Sequence, residues 1–258
     1  MRISKKSYAK VNIFLKIVGI LDGYHLLASR FVRVKNLYDI VEFQSGSFDS
    51  FTLEGDFGCK TEQNTIYKAY LKLKDISSKV EDYFKVHKVL VNKIIPEFAG
   101  LGGGSSNCAT FILMVNEVCS LDLNKDELST IGATIGADVP FFIYEYDSAN
   151  VSGIGEIVNK FDEEPLDINT YTPKILCNTG DIFKSSRSSF YKECSKNEVE
   201  KLFSTKSIDI YNKMDIKSAN DLYEPAFSLN EKLNPKDLNL DKKSFFSGSG
   251  SSFFTINY

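Results

Sequence analysis

From residue 7 to residue 18 the chain alternates. Ala9, Val11, Ile13, Leu15 and Ile17 face one way and Lys10, Asn12, Phe14 and Lys16 the other, which predicts a strand with one apolar face. Residues 31–43 read as further strand, with 36–38 as a turn. A helix opens at 64–70 and runs towards Lys74, and 87–95 returns as strand, apolar from 89 onward. Ala109, Ile112 and Leu113 recur at helical spacing over 107–116, and a second helix is expected over 125–135. Residues 136–140 break that helix before the apolar Phe141, Phe142, Ile143 and Tyr144. Around 146–148 the texture changes, which divides the chain into residues 1–146 and 147–258. Beyond that boundary, strands at 174–177 and 251–256 mix with helical stretches near 198–203 and 221–229. This order favours an α+β fold over a doubly wound parallel sheet.

Between the strand ending at 95 and the helix behind it lie Pro96, Glu97, Phe98, Ala99, Gly100, Leu101, Gly102, Gly103, Gly104, Ser105 and Ser106. Glycines without Cβ let several backbone N–H groups converge, and Ser105 or Ser106 can cap the helix. A helix start adds partial positive charge, so the leading ligand is a polyphosphate. A Cβ branch at Gly103 is expected to block the phosphates and to forbid a positive φ. The loop is not a Walker A loop, because Gly104 is followed by Ser105 and Ser106 with no lysine. It is not a dinucleotide fingerprint either, since position 105 would need glycine. Asp56, Phe57 and Gly58 spell a protein-kinase tripeptide, but they precede the loop and no His-Arg-Asp segment exists.

Composition narrows the class. A chain of 258 residues, 43% hydrophobic and 25% charged, suits a soluble globular protein of one large domain or two lobes. A net charge of -3 gives no electrostatic case for nucleic acid. No apolar run approaches the ~20 residues of a membrane span, and the basic N-terminus is interrupted as a signal peptide would not be. A cytoplasmic protein is expected. Five scattered cysteines show no zinc or disulfide spacing, so reduced and mostly buried thiols are expected.

Three smaller constellations bear on chemistry. Lys10 and Asn12 share a strand face, where a lysine can neutralise phosphate or bias a nearby acid. Asp22 and Gly23 form a turn, followed by Tyr24 and His25, an aromatic and a multi-donor ring that could stack on and hydrogen-bond a nucleobase. Asp138, after a helix and close to Pro140, can accept or orient a hydroxyl proton. Taken singly, each also fits an ordinary strand face, hairpin or turn. Their joint appearance in order outweighs those ordinary readings.

The runs Ala9-Lys10-Val11-Asn12-Ile13-Phe14-Leu15 and Asp22-Gly23-Tyr24-His25 resemble the N-terminal signature of the 4-diphosphocytidyl-2-C-methyl-D-erythritol kinases. These form a branch of the GHMP (galactokinase, homoserine, mevalonate and phosphomevalonate kinase) superfamily. Residues 100–107 resemble the family's ATP loop and 135–142 its catalytic aspartate segment. Further matches are 64–66, 153–156, 220–224 and 248–251, so the likeness runs nearly the whole chain. Phe98 and Ala99 stand where glycines are common, and Cys108 replaces a usual alanine.

The resemblance implies an N-terminal lobe like ribosomal protein S5 domain 2 and a ferredoxin-like C-terminal lobe. It implies transfer of the ATP γ-phosphoryl group to a hydroxyl of CDP-methylerythritol with Mg²⁺. Lys10 and Asp138 would be catalytic, and residues 96–106 with Asn64 would hold ATP. Asn12, Tyr24, His25 and Phe190 would contact the substrate, with Phe190 offering cytosine a second aromatic face. No nucleic-acid or membrane partner is implied, and the expected state is a monomer or weak homodimer. Another GHMP small-molecule kinase, or a non-catalytic nucleotide-binding protein on the same fold, are the competing readings.

Overall fold

The computed structural model describes residues 2–21, 23–240 and 243–257. Asp22, the first residue of the expected Asp-Gly turn, lies outside the described residues. The chain divides into two compact units. The first takes Met1–Ala9, Leu37–Ile95 and Gly103–Glu145; the second takes Lys10–Asn36, Pro96–Gly102 and Tyr146–Tyr258. Two long strands, β1 (Arg2–Leu21) and β2 (Tyr24–Ser45), pair with each other and contribute to both.

In the first unit the outer half of β2 pairs antiparallel with β4 (His87–Asn92), in the register Ile40↔Asn92 to Ser45↔His87. The short β3 (Leu53–Gly55) lies parallel to β4 on its other side. Helices α1 (Thr65–Ile76), α2 (Ser78–Lys85), α3 (Gly103–Val118), α4 (Lys125–Ala133) and α5 (Val139–Tyr144) complete the unit. α3 packs against α1 and α5. Its stretch Cys108 to Val115 is apolar apart from Thr110, as a helix buried between two others requires. Phe43, Phe84 and Phe111 meet with ring centroids 5.3 to 5.8 Å apart and join strand to helices.

In the second unit the inner half of β2 pairs antiparallel with β5 (Ser148–Ser152), and β5 with β6 (Ile157–Lys160). A separate sheet places β9 (Phe253–Asn257) between β7 (Asp167–Tyr171) and β8 (Phe245–Phe246), all antiparallel. Helices α6 (Thr179–Ser185), α7 (Lys196–Ser204), α8 (Ser207–Lys213), α9 (Ile216–Ala219) and α10 (Tyr223–Leu229) complete it. Leu15, Ile17, Ile182, Leu222, Phe246 and Phe253 share one core there. The α+β class expected from the order of elements is the class observed.

Three local expectations are corrected. β2 runs through 36–38 without a turn; Asn36 is exposed on the strand while Leu37 and Tyr38 are partly covered, and Asn36 Nδ2 donates to the Ile168 carbonyl at 3.0 Å. Residues 174–177 are not a strand: Ile175 N–H bonds back to the Pro173 carbonyl at 2.7 Å, turning the chain into α6. In β1 both faces are covered, so Lys10 and Asn12 are buried rather than lying on an open face. All five cysteines are free; Cys59 is exposed and the other four are buried. Burial pushes the Cys119 and Cys177 thiols up to about 11 and keeps them protonated. Among the described residues no helix is long and apolar enough to cross a membrane.

Candidate active site

In the first unit α3 begins at Gly103, four residues before the expected start. Gly103, Gly104, Ser105 and Ser106 therefore form its first turn instead of capping it. The first N–H groups of a helix have no intrahelical acceptor, so this turn offers donors to an anion. Gly103 carries no positive φ; its lack of a side chain is a packing need, since a Cβ would sit 2.9 Å from Ile95 Cγ2. Gly104 is exposed, and its carbonyl accepts from Thr65 Oγ1 at 2.8 Å. Ser106 is buried and accepts from Ser7 Oγ at 2.8 Å, whereas Ser105 is partly open.

Asn64 is buried at the N-cap of α1, its Oδ1 accepting from Ile66 N–H at 2.9 Å. Asp138, partly exposed, stands at the N-cap position of α5 with Pro140 in the first turn, so it opens a helix rather than closing one. The turn before it is close to the glycine helix, for a Cβ on Gly136 would lie 3.6 Å from Ser105 Oγ.

In the second unit, the Lys10 ammonium is buried with 3% of the residue exposed. It donates to Asn12 Oδ1 at 2.7 Å and to the Gly100 carbonyl at 3.2 Å, and lies 4.5 Å from the Phe31 ring centroid. Its backbone N–H bonds to the Leu101 carbonyl at 3.0 Å. Asn12 is locked from the other side, its Nδ2 donating to Ser29 Oγ at 2.9 Å.

The remaining loop residues owe their shape to backbone conformations that favour glycine. Gly100 and Gly102 have φ of 73° and 70°. Phe98 adopts φ 52° although it carries a side chain, and it is exposed. Pro96 is partly covered, Glu97 is open, and Ala99 and Leu101 are buried. Gly100 also has no room, because a Cβ there would come within 2.0 Å of the Ser247 carbonyl oxygen.

Tyr24 is 63% exposed, whereas His25 is 6% exposed with its ring centroid 5.0 Å from that of Phe183. His25 Nε2 is buried without a hydrogen-bond partner. Burial, and after it the Arg187 charge, holds the imidazole below its usual range. Arg187 donates to the Gly23 carbonyl, which fastens the π-helical turn Ser186–Phe190 to the Gly23 turn. Phe190, at the end of that π turn, is 39% exposed and lies on the rim of a cleft with Lys16 and Asp221.

The family profile described as "GHMP kinases N terminal domain" matches residues 64–146. A protein of Sulfurimonas denitrificans named 4-diphosphocytidyl-2-C-methyl-D-erythritol kinase is 48% identical, over 97% of this chain and 96% of its own length. A Sulfurovum protein of the same name is 45% identical over 98% of each. The chain belongs to the 4-diphosphocytidyl-2-C-methyl-D-erythritol kinase family. A crystal structure titled 4-(cytidine 5'-diphospho)-2C-methyl-D-erythritol kinase superposes with a TM-score of 0.77 at 26% identity, covering 98% of this chain and 90% of that one.

In this member of the 4-diphosphocytidyl-2-C-methyl-D-erythritol kinase family, residues 248–251 matched the family in sequence without a role following from the match. They form the wall behind the glycine loop. Ser247 Oγ donates to the Gly100 carbonyl at 2.9 Å, and Ser252 N–H to the Ala99 carbonyl at 3.1 Å. A Cβ on Gly248 would be 3.1 Å from the Gly100 oxygen and 3.4 Å from Asn12 Oδ1. Asn220 steadies this wall, its Nδ2 donating to the Phe246 and Gly248 carbonyls at 2.9 Å each. The available signal was composition, since two loops stripped of side chains can pack backbone to backbone.

For a metal ion, no group of three or more His, Cys, Asp or Glu side chains able to hold one occurs among the described residues.

Proposed function

We propose that the protein transfers the γ-phosphoryl group of ATP to the 2-hydroxyl of 4-diphosphocytidyl-2-C-methyl-D-erythritol, a step towards isoprenoid precursors. The observation that carries this reading, beside family membership, is the buried Lys10 ammonium bonded to the Gly100 carbonyl of the glycine loop. A fixed positive charge at the root of a phosphate loop suits charge that migrates during transfer. The acceptor oxygen forms a bond to Pγ while the bond from Pγ to the bridging oxygen breaks, and its electron pair leaves with ADP. Asp138 accepts or orients the hydroxyl proton. Lys10 compensates negative charge, and Asn12, held between Lys10 and Ser29, presents its amide to the acceptor.

The N–H groups of the first turn of α3 and the loop residues 96–102 bind the ATP phosphates. Mg²⁺, when bound, would supply charge neutralisation at the phosphates, and the Asp138 carboxylate would help to hold it. Tyr24 stacks on cytosine, the unpartnered His25 Nε2 meets its edge, and Phe190 supplies a second face. The reaction belongs in the cytoplasm, where protonated free thiols such as Cys119 and Cys177 persist.

The test is ATP consumption with 4-diphosphocytidyl-2-C-methyl-D-erythritol, beside homoserine and mevalonate at equal concentration. Turnover with the cytidine compound alone is expected. Preference for either of the others would overturn the substrate assignment.

A further inference from the structure

We infer that Asp39 is a positioning residue for the nucleotide loop, gripping the chain on both flanks of that loop through Lys93 and Asn107. This rests on the reading of residues 96–106 as the ATP site.

Asp39 has no exposed surface, and the Lys93 side chain is 6% exposed. β2 and β4 stop pairing at Ile40 and Asn92, so the chain leaves its ladder just beside Asp39. The next backbone groups then lack strand partners, and buried N–H groups must find acceptors. Asp39 Oδ1 accepts from Ile94 N–H at 2.6 Å and from Ile95 N–H at 2.8 Å. Oδ2 accepts from Lys93 Nζ at 2.5 Å and from Asn107 Nδ2 at 2.9 Å. Lys93 Nζ also donates to Asn107 Oδ1 at 3.1 Å. Asn107 Nδ2 reaches Ser7 Oγ at 2.9 Å, and Ser7 Oγ donates to Ser106 Oγ at 2.8 Å. Residues 93–95 enter the glycine loop and residues 106–107 leave it. One carboxylate therefore ties the two flanks together.

A buried ion pair is a poor way to add stability, since an apolar pair of the same volume often does as well or better. What such a pair supplies is fixed geometry, with each carboxylate oxygen held by two donors and the ammonium donating to two acceptors. Lys93 adds a positional detail: its Nζ lies 3.4 Å from where a Cβ on Gly103 would be, directly under the first turn of α3. An ammonium under a helix N-terminus opposes the helix dipole, and Asp39 neutralises it there. Displacement of either flank would misalign the N–H groups offered to the phosphates. A shift of about 1 Å can cost about a hundredfold in a positioned site.

The experiment compares Asp39→Asn, Lys93→Met and the double variant, reading thermal midpoint, ATP affinity by calorimetry, and KM for each substrate. Asp39→Asn keeps two acceptor sites but leaves the lysine charge unpaired. We expect a lower midpoint and ATP affinity weakened by about tenfold to a hundredfold, with KM for the cytidine substrate unmoved. The double variant removes both charges, so its midpoint should return towards wild type while ATP affinity stays weak. ATP affinity that recovers in step with the midpoint would reduce Asp39 to a fold-stabilising residue and overturn the inference, as would unchanged affinity in either folded variant. A wild-type protein that fails to bind ATP would instead remove the loop reading, and the inference with it.

Discussion

Each unit of the protein hides a charged cluster, and the two clusters are organised around opposite signs. In the first unit the centre is the Asp39 carboxylate, and its partners are loop flanks. In the second it is the Arg30 guanidinium, fully buried, and its partners are helix ends. Arg30 Nη2 donates to the Phe203 carbonyl at 2.9 Å and Nη1 to the Thr205 carbonyl at 3.3 Å, where α7 runs out of intrahelical acceptors. Nε donates to Asn150 Oδ1 at 2.6 Å, and the Phe161 ring covers the guanidinium at 3.3 Å. Glu163, 3.8 Å away, turns its second oxygen to Ser207 N–H at 2.8 Å, at the start of α8. A cation thus sits at a helix C-terminus and an anion at a helix N-terminus, as the helix dipole favours. Burial lowers Arg30 to about 10 against the opposing pull of Glu163, which leaves it charged at neutral pH. In both clusters charge goes where backbone groups lose their regular partners. What those groups serve differs: in the second unit they hold helix ends, and in the first they hold the flanks of the loop proposed to bind ATP.

The largest effect should come from breaking the scaffold cluster. Arg30→Met leaves Glu163 buried and the α7 carbonyls unmet, so a loss of about 3–5 kcal/mol is expected by denaturant titration. The folded fraction should keep its turnover number. A loss below about 1 kcal/mol would erase the distinction drawn between the two clusters.

Next comes a carboxylate that belongs to neither cluster. Asp138 is partly exposed, so Asp138→Asn should change stability by less than about 0.5 kcal/mol. Turnover should nevertheless fall by at least about a hundredfold, within the ~10²–10⁴ typical of positioned acid-base groups. Lys10→Ala should fall similarly, and the double variant by less than the product of the two losses if they act as a unit. Steady-state kinetics settles it, and near-wild-type turnover of Asp138→Asn would remove that residue from the mechanism.

The division between what was legible in the sequence and what was not follows the same physics. Alternation and helical spacing located β1, α1 and α3, because those signals come from local burial of side chains. The glycine loop was legible because small residues at that density have few other uses. Asp39 and Arg30 gave no signal, since their partners are far away in sequence and are brought close only by the fold. The wall at 247–252 was visible as composition, but its role depends on Gly100, far away in sequence and pressed against Ser247. The turn expected at 36–38 failed because a single exposed asparagine inside a long strand looks like a turn residue. Asp138 was placed at a helix end of the wrong polarity, because α5 is too short for periodicity to reveal.

A smaller effect is expected at the exposed aromatic. Tyr24 contributes no buried charge and little packing, so the comparison predicts a change in binding without a change in fold. Base stacking is worth roughly 1–3 kcal/mol by alanine substitution, so Tyr24→Ala should weaken the cytidine substrate by about five- to a hundredfold. Tyr24→Phe should cost little, and ATP affinity should stay near wild type in both. Calorimetric titration with each ligand checks it. Weakened ATP binding with the cytidine substrate spared would place the pocket elsewhere.

The smallest effect concerns a buried group without a charge. His25 lies deep enough that burial, then Arg187, lowers its pKa from 6.5. The unfolded chain takes up a proton as pH falls through about 6.5, while the folded state resists. Stability linked to His25 is therefore fully present above that value and declines as pH drops below it, the opposite of a histidine held by a carboxylate. Thermal midpoints of wild type and His25→Gln between pH 8 and 5.5 isolate this contribution, because every other titrating group is common to both. The wild-type midpoint should fall more steeply on the acid side, and the two curves should run parallel from pH 7 upward. Parallel curves down to pH 5.5 would mean that the imidazole is protonated as easily in the folded protein as in the unfolded chain. The buried Nε2 could then not be the neutral edge that a cytosine ring is expected to meet.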